Sequence, residues 1–262
     1  MPLSSESYTS KDIVLAAEEA IEPAWSVLNR LWFVLGYLWA VLMTVFFAFA
    51  YGIAQVVTRN QDVFGFWAGW WGRSLLLGFG VRVKTEWRTT LDLEQSYVFA
   101  ANHQNLLDIA ILASILPLPF GFVAKAELEP IPFLGTALRM SPSVFVGGSD
   151  TRRSHESLKR AGRQIREGRS VIIFPEGLRT YGPILHPLKK SAFSLAAEAA
   201  VPMVPITIVD AYRLMNETRV ASRPGRVRIV VHPPVDVAGK TRAELTPFIE
   251  TVSATIASEL PA

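Results

Sequence analysis

The sequence predicts an α/β fold: a mixed, largely parallel sheet of about seven strands flanked by helices, preceded by an N-terminal hydrophobic, membrane-associated helical segment. Three observations carry this reading. From residue 81 onward, short apolar runs rich in Val, Ile and Phe alternate with helical patterns, and such alternation builds parallel or mixed sheets covered on both faces. Ahead of them, the stretch from Leu31 to Thr58 contains no charged residue. Half of all residues are hydrophobic, with seven Trp and fifteen Phe, and mean hydropathy is +0.28, away from the usual soluble protein.

Taken in order, residues 1 to 24 begin polar, and Ile13, Val14, Ala17 and Ile21 are spaced as on a short amphipathic helix that stops near Pro23. A basic start and an early apolar core are both missing, so a secretory signal is not indicated. The uncharged run from Leu31 to Thr58, bracketed by Arg30 and Arg59, is longer than the roughly 20 residues that cross a bilayer core. Its Trp32, Tyr37, Trp39 and Tyr51 suit anchoring at the membrane interface. Val63 to Phe79 is also apolar and holds Trp67, Trp70 and Trp71, but Arg73 interrupts it, which favours a helix lying in the interface with the arginine reaching head groups. One span plus one surface helix, a re-entrant hairpin of both, and a buried core helix for the first run are the alternatives. Arg59, Arg73, Arg82, Lys84 and Arg88 follow the run, and the positive-inside bias then places the body on the cytoplasmic side, at the inner membrane in a bacterium. Residues 1–80 form the expected membrane-associating segment and 81–262 the α/β domain.

Strands are expected at Val81 to Trp87, Tyr97 to Ala101, Phe120 to Ala124, Ser143 to Val146, Ser170 to Phe174, Met203 to Val209 and Arg226 to His232. Helices are expected at Leu106 to Leu116, Arg153 to Glu167, Lys189 to Ala200 and, after a Thr241-Glu244 capping box, Ala243 to Leu260. In such sheets, sites lie at the carboxyl ends of strands.

Composition narrows the chemistry. A chain of 262 residues suits one sizeable catalytic domain with an accessory segment. The net charge of +3 and pI of about 9.3 suit anionic head groups or phosphorylated substrates and are too weak to argue for nucleic acid. The absence of cysteine excludes disulfides, thiolate zinc sites and a cysteine nucleophile. No glycine-rich nucleotide fingerprint or P-loop occurs. The four histidines, His103, His155, His186 and His232, show no metal-ligand spacing, and His186 and His232, each followed by proline, read as loop residues.

One polar cluster stands between two apolar runs: Asn102-His103-Gln104-Asn105-Leu106-Leu107-Asp108. On a straight helix five residues turn about 500°, so His103 and Asp108 meet only if a turn brings them together. With Asn105 as N-cap, Asp108 occupies the capping-box position and the helix begins at Leu106. A carboxylate there reaches one imidazole nitrogen and leaves the other free to accept a proton, the arrangement of a base and its orienter. These residues fit equally a simple helix cap beside a histidine that satisfies loop backbone.

A second loop leaves the apolar strand Val171-Ile172-Ile173 as Phe174-Pro175-Glu176-Gly177-Leu178-Arg179-Thr180. Proline and glycine force a tight turn that presents a carboxylate and a guanidinium, the side chain shaped for bidentate phosphate binding. A surface turn with a local Glu176-Arg179 pair is the other reading. Both loops leave their strands in the strand-to-helix sense and open on the same sheet edge.

These residues resemble the glycerolipid acyltransferases. Asn102 to Asp108 resembles their H-x4-D motif and Phe174 to Thr180 their F-P-E-G-x-R-S motif; Val201-Pro202-Met203-Val204-Pro205-Ile206 is similar to their V-P-I-V-P block, and Ala124-Lys125-Ala126-Glu127-Leu128 with Pro130 and Gly135 to the segment after the first helix. The most similar branch is 1-acylglycerol-3-phosphate acyltransferase. Two segments depart: Phe145-Val146-Gly147-Gly148-Ser149-Asp150 stands for F-I-D-R, and Leu188-Lys189-Lys190-Ser191 for F-K-x-G.

The resemblance implies a membrane-bound enzyme that transfers a fatty acyl group from acyl-CoA or acyl carrier protein, as co-substrate, to the hydroxyl of lysophosphatidic acid, with no cofactor and no metal. His103 is the implied general base and Asp108 its orienter. Glu176, Gly177 and Arg179 with Lys125, Arg152 and Arg153 are the implied contacts to the acceptor's phosphate. The partners are a lysophospholipid, the acyl donor and the bilayer. Alternatives are another lysolipid, a glycolipid or glycerol 3-phosphate as acceptor, and a non-catalytic lipid-binding protein.

Overall fold

The computed structural model describes residues 25–147 and 151–261, with the side chains of residues 151–155 and 158 excepted. The expected helix around Ile13 to Ile21 lies outside the described residues, as do Gly148, Ser149 and Asp150.

Seven strands form one sheet in the order β1-β9-β6-β2-β5-β3-β4: β1 Val81–Trp87, β2 Val98–Ala101, β3 Phe120–Lys125, β4 Val144–Val146, β5 Ser170–Ile173, β6 Met203–Val209 and β9 Gly225–Val231. The five from β6 to β4 run parallel. β9 is antiparallel to β6, and β1 is parallel to β9. The expected mixed, largely parallel sheet is thus present, and each strand lies within a residue or so of its expected bounds. β2 and β6 are buried at every residue, as continuous apolar runs in a sheet covered on both faces require.

Alternation along the strands divides the core. Phe99 and Ala101 of β2 join Ile172, Val204 and Ile206 on one face, under α2 (Val63–Gly78) and α3 (Leu107–Ile115). Val98 and Ala100 join Val171, Ile173 and Met203 on the other, under α5 (Thr151–Arg166), α6 (Lys190–Ala199) and α7 (Thr246–Ala257). Sequence reading did not single out α4 (Leu134–Met140) or the two-stranded hairpin β7 (Met215–Asn216) and β8 (Ala221–Ser222). Both are too short for periodicity to mark them.

α1 (Val27–Thr58) is 32 residues long, about 48 Å at the α-helical rise. Ser26 caps it through a reciprocal pair with Asn29, and Arg59 ends it in the left-handed region at φ 52°. It packs against α2, α4 and β8. Gly72 allows α2 to close on α3, because a Cβ there would lie 2.4 Å from the carbonyl oxygen of Ala110.

Three of the four α1 aromatics hydrogen-bond neighbouring elements. The Trp32 indole donates to Phe79 O at 3.0 Å, Trp39 to Ser74 O at 2.9 Å, and the Tyr51 hydroxyl to Met140 O at 2.9 Å. Tyr51 is buried and its hydroxyl needs such a partner, whereas Trp32 and Trp39 stay partly exposed to the outside; of the four aromatics Tyr37 alone makes no such bond among the described residues. The outward face of α1 is aliphatic and phenylalanine-rich, including Leu35, Leu42, Phe46, Phe49 and Val56.

Candidate active site

Every described candidate residue lies on the carboxyl edge of the parallel strands. The loop after β2 carries His103, the neighbouring loop after β5 carries Glu176 and Arg179, and β3 on the far side of β5 ends in Lys125. β6, on the other side of β2, leads into the β7–β8 hairpin on the same edge.

Buried amide side chains hold the first loop. Asn102 donates to Ile208 O at 2.9 Å and accepts from Ile208 N at 2.7 Å, continuing the β2–β6 ladder beyond the last strand residue. Asn105 donates to Ala211 O at 2.7 Å and Met215 O at 2.9 Å, and its Oδ1 accepts from Leu107 N at 2.9 Å. Asp108 Oδ2 accepts from Asn105 N at 2.9 Å and from Gln104 N. Asp108 thus supplies one half of the expected capping box, while Asn105 Oδ1 accepts from Leu107 N and not from Asp108 N, and the regular helix starts at Leu107, one residue later than expected.

The same Asp108 Oδ2 lies 2.8 Å from His103 Nδ1. Asp108 is fully buried and its Oδ1 has no hydrogen-bond partner. A carboxylate only accepts, so Nδ1 carries the hydrogen and Nε2 presents its lone pair. The His103 ring stacks on Phe174 with centroids 3.9 Å apart and an interplanar angle of 16°. The two readings of Asp108 from the sequence, cap and partner of the imidazole, are both realised by one oxygen.

Glu176 is placed differently from the expectation. It is 2% exposed, Oε1 accepts from His103 N at 2.8 Å and Oε2 from His186 N at 2.8 Å. With each oxygen accepting a main-chain amide, the carboxyl braces two loops. Burial pushes its pKa up to about 8, against the lowering effect of the two amides. Thr180 N donates to His103 O at 2.9 Å and Tyr181 N to Gln104 O at 3.0 Å, so the two loops are joined through backbone along their length.

Arg179 does not pair with Glu176. Its Nη1 donates to Glu217 in the hairpin. Gly177, at φ 73°, turns the loop, and a Cβ there would lie 2.2 Å from Lys189 Nζ, so this lysine lies across the glycine. Arg152 and Arg153 fall at the start of α5, and their side chains lie outside those described. His232 lies in the loop after β9, as expected from the sequence, and is buried there with a bond to Thr207 Oγ1 at 2.9 Å.

These groups surround a cavity of about 830 Å³. Its wall is apolar where α1, α2 and α4 contribute Phe47, Tyr51, Phe64, Trp67 and Leu138, and polar where His103, Lys125, Arg179 and Lys189 face it beside one carboxylate, Glu127. Among the described residues neither Lys125 nor Lys189 pairs with a carboxylate. Lys189 and Glu217 are the site residues that sequence reading did not assign. The displaced F-K-x-G segment pointed at Lys189, whereas Glu217 lies 38 residues from its partner on a two-residue hairpin and had no local signature.

A sheet whose carboxyl edge carries an H-x4-D loop and an E-G-x-R loop over one largely apolar cavity defines a protein of the acyltransferase class. The acyltransferase family model matches residues 82–209. The chain is 30% identical over 187 residues to a 1-acyl-sn-glycerol-3-phosphate acyltransferase of Haemophilus influenzae, covering 70% of this chain and 76% of the relative. A chloroplastic 1-acyl-sn-glycerol-3-phosphate acyltransferase of Brassica napus is 37% identical over 139 residues, 53% of this chain and 40% of its own. The chain thus spans well under half of that relative's length. The crystal structure of the 1-acyl-sn-glycerophosphate (LPA) acyltransferase from Thermotoga maritima superposes with a TM-score of 0.75 at 25% identity, covering 89% of this chain and 96% of that one. The chain belongs to the acyltransferase family.

Proposed function

We propose that this protein transfers a fatty acyl group from an acyl thioester, acyl-CoA or acyl carrier protein, to the free hydroxyl of lysophosphatidic acid, giving phosphatidic acid. The observation that carries this reading is the position of the His103–Asp108 pair where an apolar cavity wall meets Lys125, Arg179 and Lys189. That junction suits a molecule with an acyl chain and a phosphate.

The steps follow from the groups in place. His103 Nε2 takes the proton of the acceptor hydroxyl as its oxygen attacks the thioester carbonyl carbon. Asp108 holds the tautomer and stabilises the imidazolium that forms. The C–S bond breaks, and the imidazolium returns the proton to the leaving thiolate. The lysines and Arg179 hold the acceptor's phosphate by charge-assisted bonds.

Membrane association belongs to the same reading. α1 is long and apolar enough to cross a bilayer and is mostly exposed. It nevertheless packs along its length on the rest of the chain, from Trp32 against Phe79 to Tyr51 against Met140. A helix so held lies with its outer face in one leaflet more readily than it crosses both, and the mouth of the cavity then meets a lipid acceptor at the cytoplasmic surface.

The assay is transfer of a radiolabelled acyl group from acyl-CoA and acyl carrier protein to lysophosphatidic acid by the purified chain, beside His103→Ala. Transfer lost in the variant with the circular dichroism spectrum unchanged is the expected result; equal turnover by both overturns it. A second reading, another lysolipid or glycolipid acceptor, rests on Gly147-Gly148 standing where the family pattern has an arginine, and a panel of acceptors separates the two.

A further inference from the structure

We infer that Glu217, on the β7–β8 hairpin, is a positioning residue that fixes the Arg179 guanidinium in the cavity and thereby sets the preference for a phosphate-bearing acceptor over its neutral counterpart. The inference rests on the proposed reaction only for the identity of the acceptor.

The geometry is that of a brace behind a ligand-binding group. Glu217 is largely enclosed, with a side-chain exposure of 13% against 32% for Arg179, and of the two it is the arginine that lines the cavity. One donor, Nη1, goes to Glu217. Among the described residues Arg179 has no other ion pair or hydrogen bond, and its guanidinium lies 5.9 Å from the Tyr181 ring centroid. A guanidinium has five N–H donors in a rigid fork. Spending one on a buried carboxylate fixes its plane and leaves the rest for two oxygens of a phosphate.

The burial of Glu217 is itself a reason to assign it a role. Among the described residues its Oε2 is buried without a hydrogen-bond partner, and enclosing a carboxylate that is only half satisfied costs stability. The hairpin that carries it also receives Asn105 of the His103 loop through Met215 O. The base and the phosphate-binding arginine are therefore referred to one common element, which sets the distance between the reacting hydroxyl and the phosphate.

The alternative is that Glu217 occupies the phosphate position and must be displaced. The two predict opposite signs. The test uses the full chain in neutral detergent micelles, with Glu217→Gln as the variant, sn-glycerol 3-phosphate as the calorimetric probe, and acyl transfer to lysophosphatidic acid and to monoacylglycerol as the kinetic readout. The expected result is about tenfold weaker binding of the probe, a matching rise in KM for lysophosphatidic acid, a smaller change in kcat, and an unchanged KM for monoacylglycerol. In an Arg179→Ala background the substitution should have no further effect. Should Glu217→Gln fail to fold, Glu217→Asp, which withdraws the charge by one methylene, is expected to move the same quantities in the same direction. Unchanged or tighter probe binding in a folded variant, or no binding by the wild-type chain, overturns the inference. Weakened probe binding in the variant with no transfer to lysophosphatidic acid by the wild type refutes the proposed reaction and leaves Glu217 in its role.

Discussion

Glu176 holds the main chain of His103: its Oε1 accepts the His103 backbone N–H at 2.8 Å, while Oε2 accepts that of His186. The glutamate of the second loop therefore acts on the first loop through backbone. In the proposed reaction this brace would keep the imidazole where Asp108 can reach it.

Removing that brace should destabilise the fold. Glu176→Ala leaves two partly buried amides without their acceptors, each costing about 1–3 kcal/mol when fully buried, so a loss of up to about 6 kcal/mol is expected in urea unfolding. Activity should fall with it. Wild-type stability in the variant would remove the brace from the account.

The same carboxyl gives a pH dependence of known sign. Its pKa rises from 4.5 to about 8 on folding, so between those values the folded state binds the extra proton. Its contribution is complete below 4.5 and is lost as pH rises through about 8. The stability of wild type relative to Glu176→Gln should therefore fall as pH is raised across this window, measured as a difference in urea midpoints. A difference that grows with pH contradicts the assignment.

Asp108→Asn tests the orienter. An amide at this position can donate to Nδ1 and so favours the wrong tautomer, and kcat should drop by roughly 10²–10⁴. Single-turnover transfer with a matched acceptor concentration measures it, and a drop confined to KM would assign Asp108 to the loop alone.

Gly72→Ala probes the seam between α2 and α3. The added methyl would meet the Ala110 carbonyl at 2.4 Å, and main chain inside two packed helices has little room to yield. A loss of about 1–3 kcal/mol is expected, read from thermal unfolding in detergent. An unchanged midpoint would show that the helices separate freely.

The outer face of α1 gives the membrane prediction. Phe49 is 67% and Val56 71% exposed, so Phe49→Glu with Val56→Glu should leave the unfolding midpoint in place. Each apolar side chain adds about 1.5–3 kcal/mol when buried in lipid, so flotation with anionic vesicles should show partitioning reduced at least about 100-fold. Unaltered flotation would move the lipid contact elsewhere.

Local pattern carried much of this protein. The order of strands and helices, the shared edge of the two loops and the meeting of His103 with Asp108 follow from hydrophobic period, turn-forming residues and a capping box, all of which act between neighbours in the chain. The first loop was legible because Asp108 lies three residues after Asn105 and reaches back to its amide within the turn.

Glu176, Arg179 and the α1 aromatics were not legible in the same way. From sequence, a glutamate three residues before an arginine suggests a pair, yet Glu176 is bound to the backbone of His103 and His186, and Arg179 to Glu217 across 38 residues. Trp32, Trp39 and Tyr51 likewise bond carbonyls of α2 and α4 or of the residue after α2. Neighbouring residues determined the elements and the edge on which the site lies. Packing alone decided which groups face the cavity and which brace it, because their partners are either backbone amides and carbonyls, which every residue carries and no sequence pattern distinguishes, or, for Arg179, a carboxylate 38 residues away on another element.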